Sequence, residues 1–270
     1  MKSILLKITL TLSLLFSAHF AFEIDPFDPN ATLVENFSTN CLQMTQSQQI
    51  LKAYIMVGLN SNFQNPKENL SRAIVAYDKR AHQVHDYFFK LLGDHQEAKE
   101  AFDEALHLWN ESKKMLKQPP TKENALKIKH NFLVMIQKLL AGTKPLATPD
   151  LELISLTGKL CRKPVEITND YLMRIWGVHI PGYEEEIAQI IKNFHKNLDT
   201  LRENPLNNEE SLALLDKARK QFMFFEIMYN SKTRFIPNLL SKKADDNFKI
   251  IRQIKKIYKK EAQKHADSTH

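Results

Sequence analysis

Glycine is scarce in this chain, with six residues in 270. That count leaves little room for glycine-rich phosphate loops, collagen repeats or a many-turned β-sandwich. Cysteine is scarcer, with only Cys41 and Cys161. Two thiols cannot close a four-ligand zinc site, and no Cys-x-x-Cys occurs. Beyond the N-terminus no apolar run reaches the ~18 residues that mark a membrane span. Gly-x-Ser-x-Gly, His-Glu-x-x-His and the phosphate-loop pattern are absent too, so the sequence offers no enzyme motif and no cofactor signature. What remains is a chain 43% hydrophobic and 26% charged, enough to bury a core. Its richness in Leu, Lys, Ala and Glu is the usage of an all-helical protein.

The N-terminus reads as an export signal. Lys2 and Lys7 lead into an apolar run from Ile8 to Phe16, followed by small residues around Ala18 and Ala21. Residues 1–21 are therefore expected to be a secretory signal peptide, and the mature chain periplasmic or secreted. The net charge of +7 is unevenly placed: residues 242–270 carry nine Lys/Arg against four Asp/Glu, and the body is close to neutral. A nucleic-acid partner would call for a basic body as well, so none is expected. Lys255, Lys256, Lys259 and Lys260 are read as one solvated helix face, able to make weak contact with anionic lipid headgroups.

Helix punctuation recurs along the body. Asn30 is placed as the cap of a first helix running to about Leu59. Asn65-Pro66 starts a second that ends at Gly93, Asp94 caps a third that stops at Pro119-Pro120, and Thr121 caps a fourth that ends at Gly142. A fifth is expected from Asp150 to Trp176, with Pro164 bending or restarting it. Pro181 opens a sixth, Pro205 and Asn207 precede a seventh that reaches about Asn230, and the eighth runs from about Pro237 to Lys264. Short connections suit antiparallel bundles.

The second half echoes the first. A shift of 117 residues lays Leu70, Ala73, Ile74, Tyr77, Ala81 and Val84 on Ile187, Ile190, Ile191, Phe194, Leu198 and Leu201, at the spacing of one helix face. The same shift lays Ile50, Tyr54, Ile55 and Met56 on Ile167, Tyr171, Leu172 and Met173; a shift of about 113 lays Phe102, Ala105 and Trp109 on Leu215, Ala218 and Phe222. The expected architecture is all-α: two tandem antiparallel four-helix bundles related by internal duplication, spanning residues 30–145 and 149–264, with 265–270 as a tail.

The stretch Thr45-Gln46-Ser47-Gln48-Gln49-Ile50-Leu51-Lys52-Ala53-Tyr54 resembles the signature of the N-terminal sensor domain of type IV pili methyl-accepting chemotaxis transducers, a domain related to the sensors of nitrate-responsive kinases. Ile154 to Lys159 with Tyr171 to Gly177 resembles a second copy. The resemblance implies two bundles that meet through their motif helices, with arginines of the motif binding an anion between them. Here those arginine positions fall on Leu42, Met44 and Gln49, and on Lys159, Cys161 and Glu166. What the resemblance leaves is an asymmetric pocket in which Gln43, Ser47 and Gln48 face Lys159, Arg162 and Lys163 around a small anionic ligand. The competing reading is a solvated polar face on a degenerate copy.

Two functions follow as expectations. One is an exported sensory or ligand-binding module without its own signalling output, since a family receptor would continue past the last helix whereas this chain ends at His270. The other is a structural or interaction bundle of the cell envelope with a protein partner. If the motif helices face each other, Cys41 and Cys161 lie close enough in register to be candidates for a disulfide. No metal is expected: Glu104-x-x-His107 stands alone where a di-iron bundle needs two such motifs, and His82 and His85 read as solvated.

Overall fold

A computed structural model describes residues 27–231 and 236–268. The expected signal segment lies outside the described residues. Within them the chain forms eight α-helices: α1 Leu33–Gly58, α2 Pro66–Leu91, α3 Gln96–Leu116, α4 Lys122–Gly142, α5 Pro149–Ile175, α6 Tyr183–Arg202, α7 Glu209–Ser231 and α8 Pro237–Ser268. A short 3-10 turn, Lys144–Leu146, joins α4 to α5. No strand occurs among the described residues, and none of the helices there is long and apolar enough to cross a membrane.

Each half is a closed four-helix bundle. Helices α1 to α4 pack on one another in order and α1 closes against α4; α5 to α8 repeat that arrangement, with α5 closing against α8. Of the twelve positions aligned between α2 and α6, all are buried except Ile191, which is half-buried against the core. The aligned residues of α1 and α5, and those of α3 and α7, are buried as well. Corresponding aromatic pairs fill the two interiors: Tyr77 lies on Trp109, ring centroids 4.3 Å apart, and Phe194 stacks on Phe222 at 3.6 Å.

Several helix starts differ from expectation. Thr32, not Asn30, caps α1 by accepting from the Glu35 amide, and α3 begins at Gln96 with no side-chain cap from Asp94. Thr121 caps α4 as its pattern implies, accepting from Asn124 N. Thr148 caps α5, and Pro149 takes the first helical position, where its missing N–H costs nothing. Pro164 does not restart α5, which runs unbroken through it. Tight packing on both sides holds the segment helical, and Thr168 donates its hydroxyl to the Pro164 carbonyl. At the far end α8 extends to Ser268, so the segment after Lys264 is not a separate tail.

The two bundles meet through α1 and α5. Cys41 packs on Gly158, Gln48 meets Asn169, and Gly58 meets Trp176, so the two helices run parallel with corresponding residues opposed. A Cβ at Gly58 would fall 2.3 Å from the Trp176 ring, and one at Gly158 would fall 2.9 Å from Cys41 Cβ. These glycines set the closeness of the approach. Because α1 and α5 are enclosed by both bundles, they are buried around most of their circumference.

Candidate functional site

Burial on every side decides the fate of the motif residues. Successive residues of a helix point about 100° apart, so the amides of α1 are divided among different neighbours. Gln43 and Ser47 turn into the first bundle beside the Tyr77 hydroxyl, and Ser47 donates its own hydroxyl to the Met44 carbonyl at 2.8 Å. Gln46 Oε1 accepts from Arg80 Nη1 at 2.6 Å. Gln48 faces α5, where Asn169 Nδ2 donates to its carbonyl at 2.9 Å and to its Oε1 at 3.1 Å. On α5, Arg162 Nε and Lys163 Nζ donate to the two oxygens of Glu166 at 2.5 and 2.6 Å, and Lys159 stands half-buried. Burial works to raise the Glu166 carboxyl, but Lys163 and Arg162 outweigh it and hold the pKa at about 2.

The six residues expected around an anion are therefore not gathered in one pocket. Glu166 engages both Arg162 and Lys163. Nor do these residues form a solvated face: Gln43, Gln46, Ser47 and Gln48 are all buried. The cysteines are both buried free thiols. The α1–α5 contact that motivated their pairing exists, but the residue opposite Cys41 is Gly158, and Cys161 lies almost a turn further along α5. Burial pushes the Cys161 thiol up to about 12 and raises that of Cys41, so neither is a ready nucleophile.

Two buried ion pairs fasten the bundles on either side of this seam. Lys52 of α1 pairs with Asp245 of α8, and Lys129 of α4 pairs with Asp170 of α5 at 2.8 Å while reaching Glu186 of α6 at 2.6 Å. Burial disfavours the charge on Lys129, but Asp170 and Glu186 outweigh it and hold its pKa above the ordinary value. Burial, reinforced by Glu186 and Glu166, pushes the Asp170 carboxyl up to about 7 against the pull of Lys129.

The Lys52–Asp245 pair is also part of a cavity of about 150 Å³ between α1, the α1–α2 turn, the start of α2 and α8. Met56, Phe63, Pro66 and Phe248 give it apolar walls; Lys52, Asp245, Lys249 and Arg252 are the charged residues among its described lining. The turn that forms its mouth holds three non-glycine residues in the left-handed region, Asn60 (φ 54), Gln64 (φ 59) and Asn65 (φ 47). Such conformations cost of order 1–2 kcal/mol each and collect at ligand clamps. Here the turn is secured by Asn69, whose side chain donates to the Gln64 carbonyl, and by Ser61, which donates to Asn238 Oδ1 of α8 at 3.2 Å. No sequence pattern pointed to this cavity, because its two sides lie almost two hundred residues apart. The one local clue was Asn60-Ser61-Asn62-Phe63-Gln64-Asn65-Pro66, a turn rich in residues that tolerate the left-handed region.

The remaining sequence candidates are engaged locally. Glu104 pairs with Lys138, His82 Nδ1 lies 2.9 Å from the Asp78 carbonyl, and His85 sits between Asp86 and Asp103. Among the described residues no group of three or more His, Cys, Asp or Glu is placed to hold a metal. Of the four tail lysines only Lys256 and Lys260 are exposed; Lys259 is half-buried and Lys255 is buried against α1. They do not share one solvated face, because α8 packs on α1 as well as within its own bundle. No protein-family model matches the chain, and neither a curated protein nor a solved structure matches it.

Proposed function

We infer that this chain is an exported ligand-binding module of sensory type, built as two bundles by tandem duplication, and that its ligand is a small organic anion with an apolar body. The observation that carries the reading is the cavity at the boundary of the bundles: apolar walls, the cationic side chains of Lys52, Lys249 and Arg252, and a strained turn at its mouth. A cavity of ~150 Å³ takes a molecule about the size of benzene, so the ligand is small. The basic, apolar N-terminus supports export, and the motif around Tyr54 supports the sensory class. Because α1 and α2 belong to one bundle and α8 to the other, a ligand held there touches both and biases how they sit together.

Thermal denaturation with small carboxylates and their neutral amides tests this. Benzoate should raise the melting temperature and benzamide should not. At a hundred times Kd the gain is about 2.7 kcal/mol, several degrees for a chain of this size. Arg252→Gln together with Lys249→Gln should abolish the difference. A flat response across a panel of organic anions would refute the reading. It would favour an envelope interaction protein instead, which the exposed Met223 and Ile227 of α7 and the exposed Ile236 and Leu239 at the start of α8 favour.

A further inference from the structure

A second, smaller cavity of about 70 Å³ lies further along α8, toward the start of α1. It is lined by Ser38 and Leu42 of α1 and by Arg252, Lys255, Lys256 and Lys259 of α8. Four cations converge on a space about twice the volume of one water. At its rim Lys259 lies 3.7 Å from Glu35.

Lys255 makes the cavity more than a basic surface. Its side chain is buried, at 5% exposure, and its partner is the Ser38 carbonyl, 2.6 Å from Nζ. No carboxylate pairs with it among the described residues. Burial depresses its pKa, and Lys259 and Arg252 add to that, while the neighbouring Cys41 and Cys161 thiols oppose it. Elsewhere at the seam the chain matches its buried lysines with acids, Lys52 with Asp245 and Lys129 with Asp170. A buried ammonium without a counter-charge is costly, and a bound anion removes that cost.

We propose that this cavity binds a tetrahedral phosphate group, held by the Lys255 ammonium at its base and by Lys256 and Lys259 at its rim. The phosphate group belongs either to a free phosphate ion or to a phospholipid headgroup. Neither Lys256 nor Lys259 lines the cavity beside Phe248, so the two sites are separable.

The test is a titration of the full chain with inorganic phosphate at constant ionic strength, chloride being the balancing salt, read by thermal shift and 31P line broadening. Flotation with phosphatidylglycerol vesicles, against phosphatidylcholine, is the second arm. A saturable phosphate effect identifies the free ion; flotation with phosphatidylglycerol alone identifies the headgroup. In either case K256Q/K259Q should weaken binding about tenfold or more while leaving the melting temperature without phosphate nearly unchanged. Lys255→Met should abolish binding if it folds, and the double variant decides if it does not. Absence of both effects, an equal response to chloride, or binding that K256Q/K259Q leaves intact would overturn the proposal.

Discussion

Tyr77 of α2 and Phe194 of α6 occupy corresponding places, yet their surroundings differ in kind. Around Tyr77 the first bundle buries Gln43, Ser47 and, one turn on, Arg80 with Gln46. Around Phe194 the second bundle stacks Phe222, with the Phe225 ring tilted against it. The difference continues at the seam, where both flanking ion pairs take their lysine from the first bundle and their aspartate from the second. By the 117-residue register Lys52 falls on Asn169 and Lys129 on Asp246, each one residue from the acid of the other pair. Two identical subunits would place the same residue on both sides of such an axis. Two bundles in one chain can place a cation opposite an acid, which specifies a single way for them to dock.

Charge complementarity is therefore where the comparison breaks most sharply. Lys52→Met leaves Asp245 buried without its partner and should cost about 3–5 kcal/mol, read as a lowered urea midpoint. The exchanged pair, K52D with D245K, should recover more than half of that loss. If the single variant costs less than about 1 kcal/mol, the pair does not secure the seam.

Acid and base titration separates two carboxyls one turn apart on α5. Glu166 is held down at about 2, below its ordinary value near 4.5, so its contribution is present above 4.5 and is lost as the pH falls through 2. That loss is about 3 kcal/mol, and Glu166→Gln should flatten the acid limb. Asp170 runs the other way. Its pKa is raised to about 7, so stability is highest below its unfolded value near 3.8 and declines as the pH rises through 7. Asp170→Asn should remove that decline. A stability profile flat from pH 2 to 8 would contradict both assignments.

At the two close contacts of the seam, added volume should cost less than a lost charge. Gly58→Ala must move the Trp176 ring and Gly158→Ala must move Cys41, each at about 1–3 kcal/mol. Gly93→Ala is the control for space, since nothing lies within 4 Å of its added Cβ; its cost comes only from its φ of 50°.

Much of this frame was legible in the sequence. The 3-4 spacing of Leu70 to Val84 and of Ile187 to Leu201 located the buried faces of α2 and α6, because a surface helix shows its orientation through contrast. The seam lacked that contrast. Gln43, Gln46, Ser47 and Gln48 are polar and read as solvent-facing or as a ligand shell, but α1 is enclosed by two bundles and buries them. The candidate cavity was not legible because Lys52 and Asp245 are brought together only by the docking of α8 on α1, and no local pattern encodes that.

The smallest effect tests the contrast of interiors directly. Tyr77→Phe makes the first bundle resemble the second. It removes a hydroxyl that lies beside Gln43 and Ser47 and donates to Met135 Sδ at 3.8 Å. The loss should be about 1 kcal/mol, since the ring and its contact with Trp109 remain. Phe194→Tyr is the reverse change and should cost more, about 1–3 kcal/mol, because its hydroxyl enters an interior stacked with phenyl rings. Chemical denaturation of both variants in parallel gives the asymmetry without reference to absolute stability. Equal costs would mean that the two interiors are interchangeable and that the polar cluster around Tyr77 contributes no more than its volume.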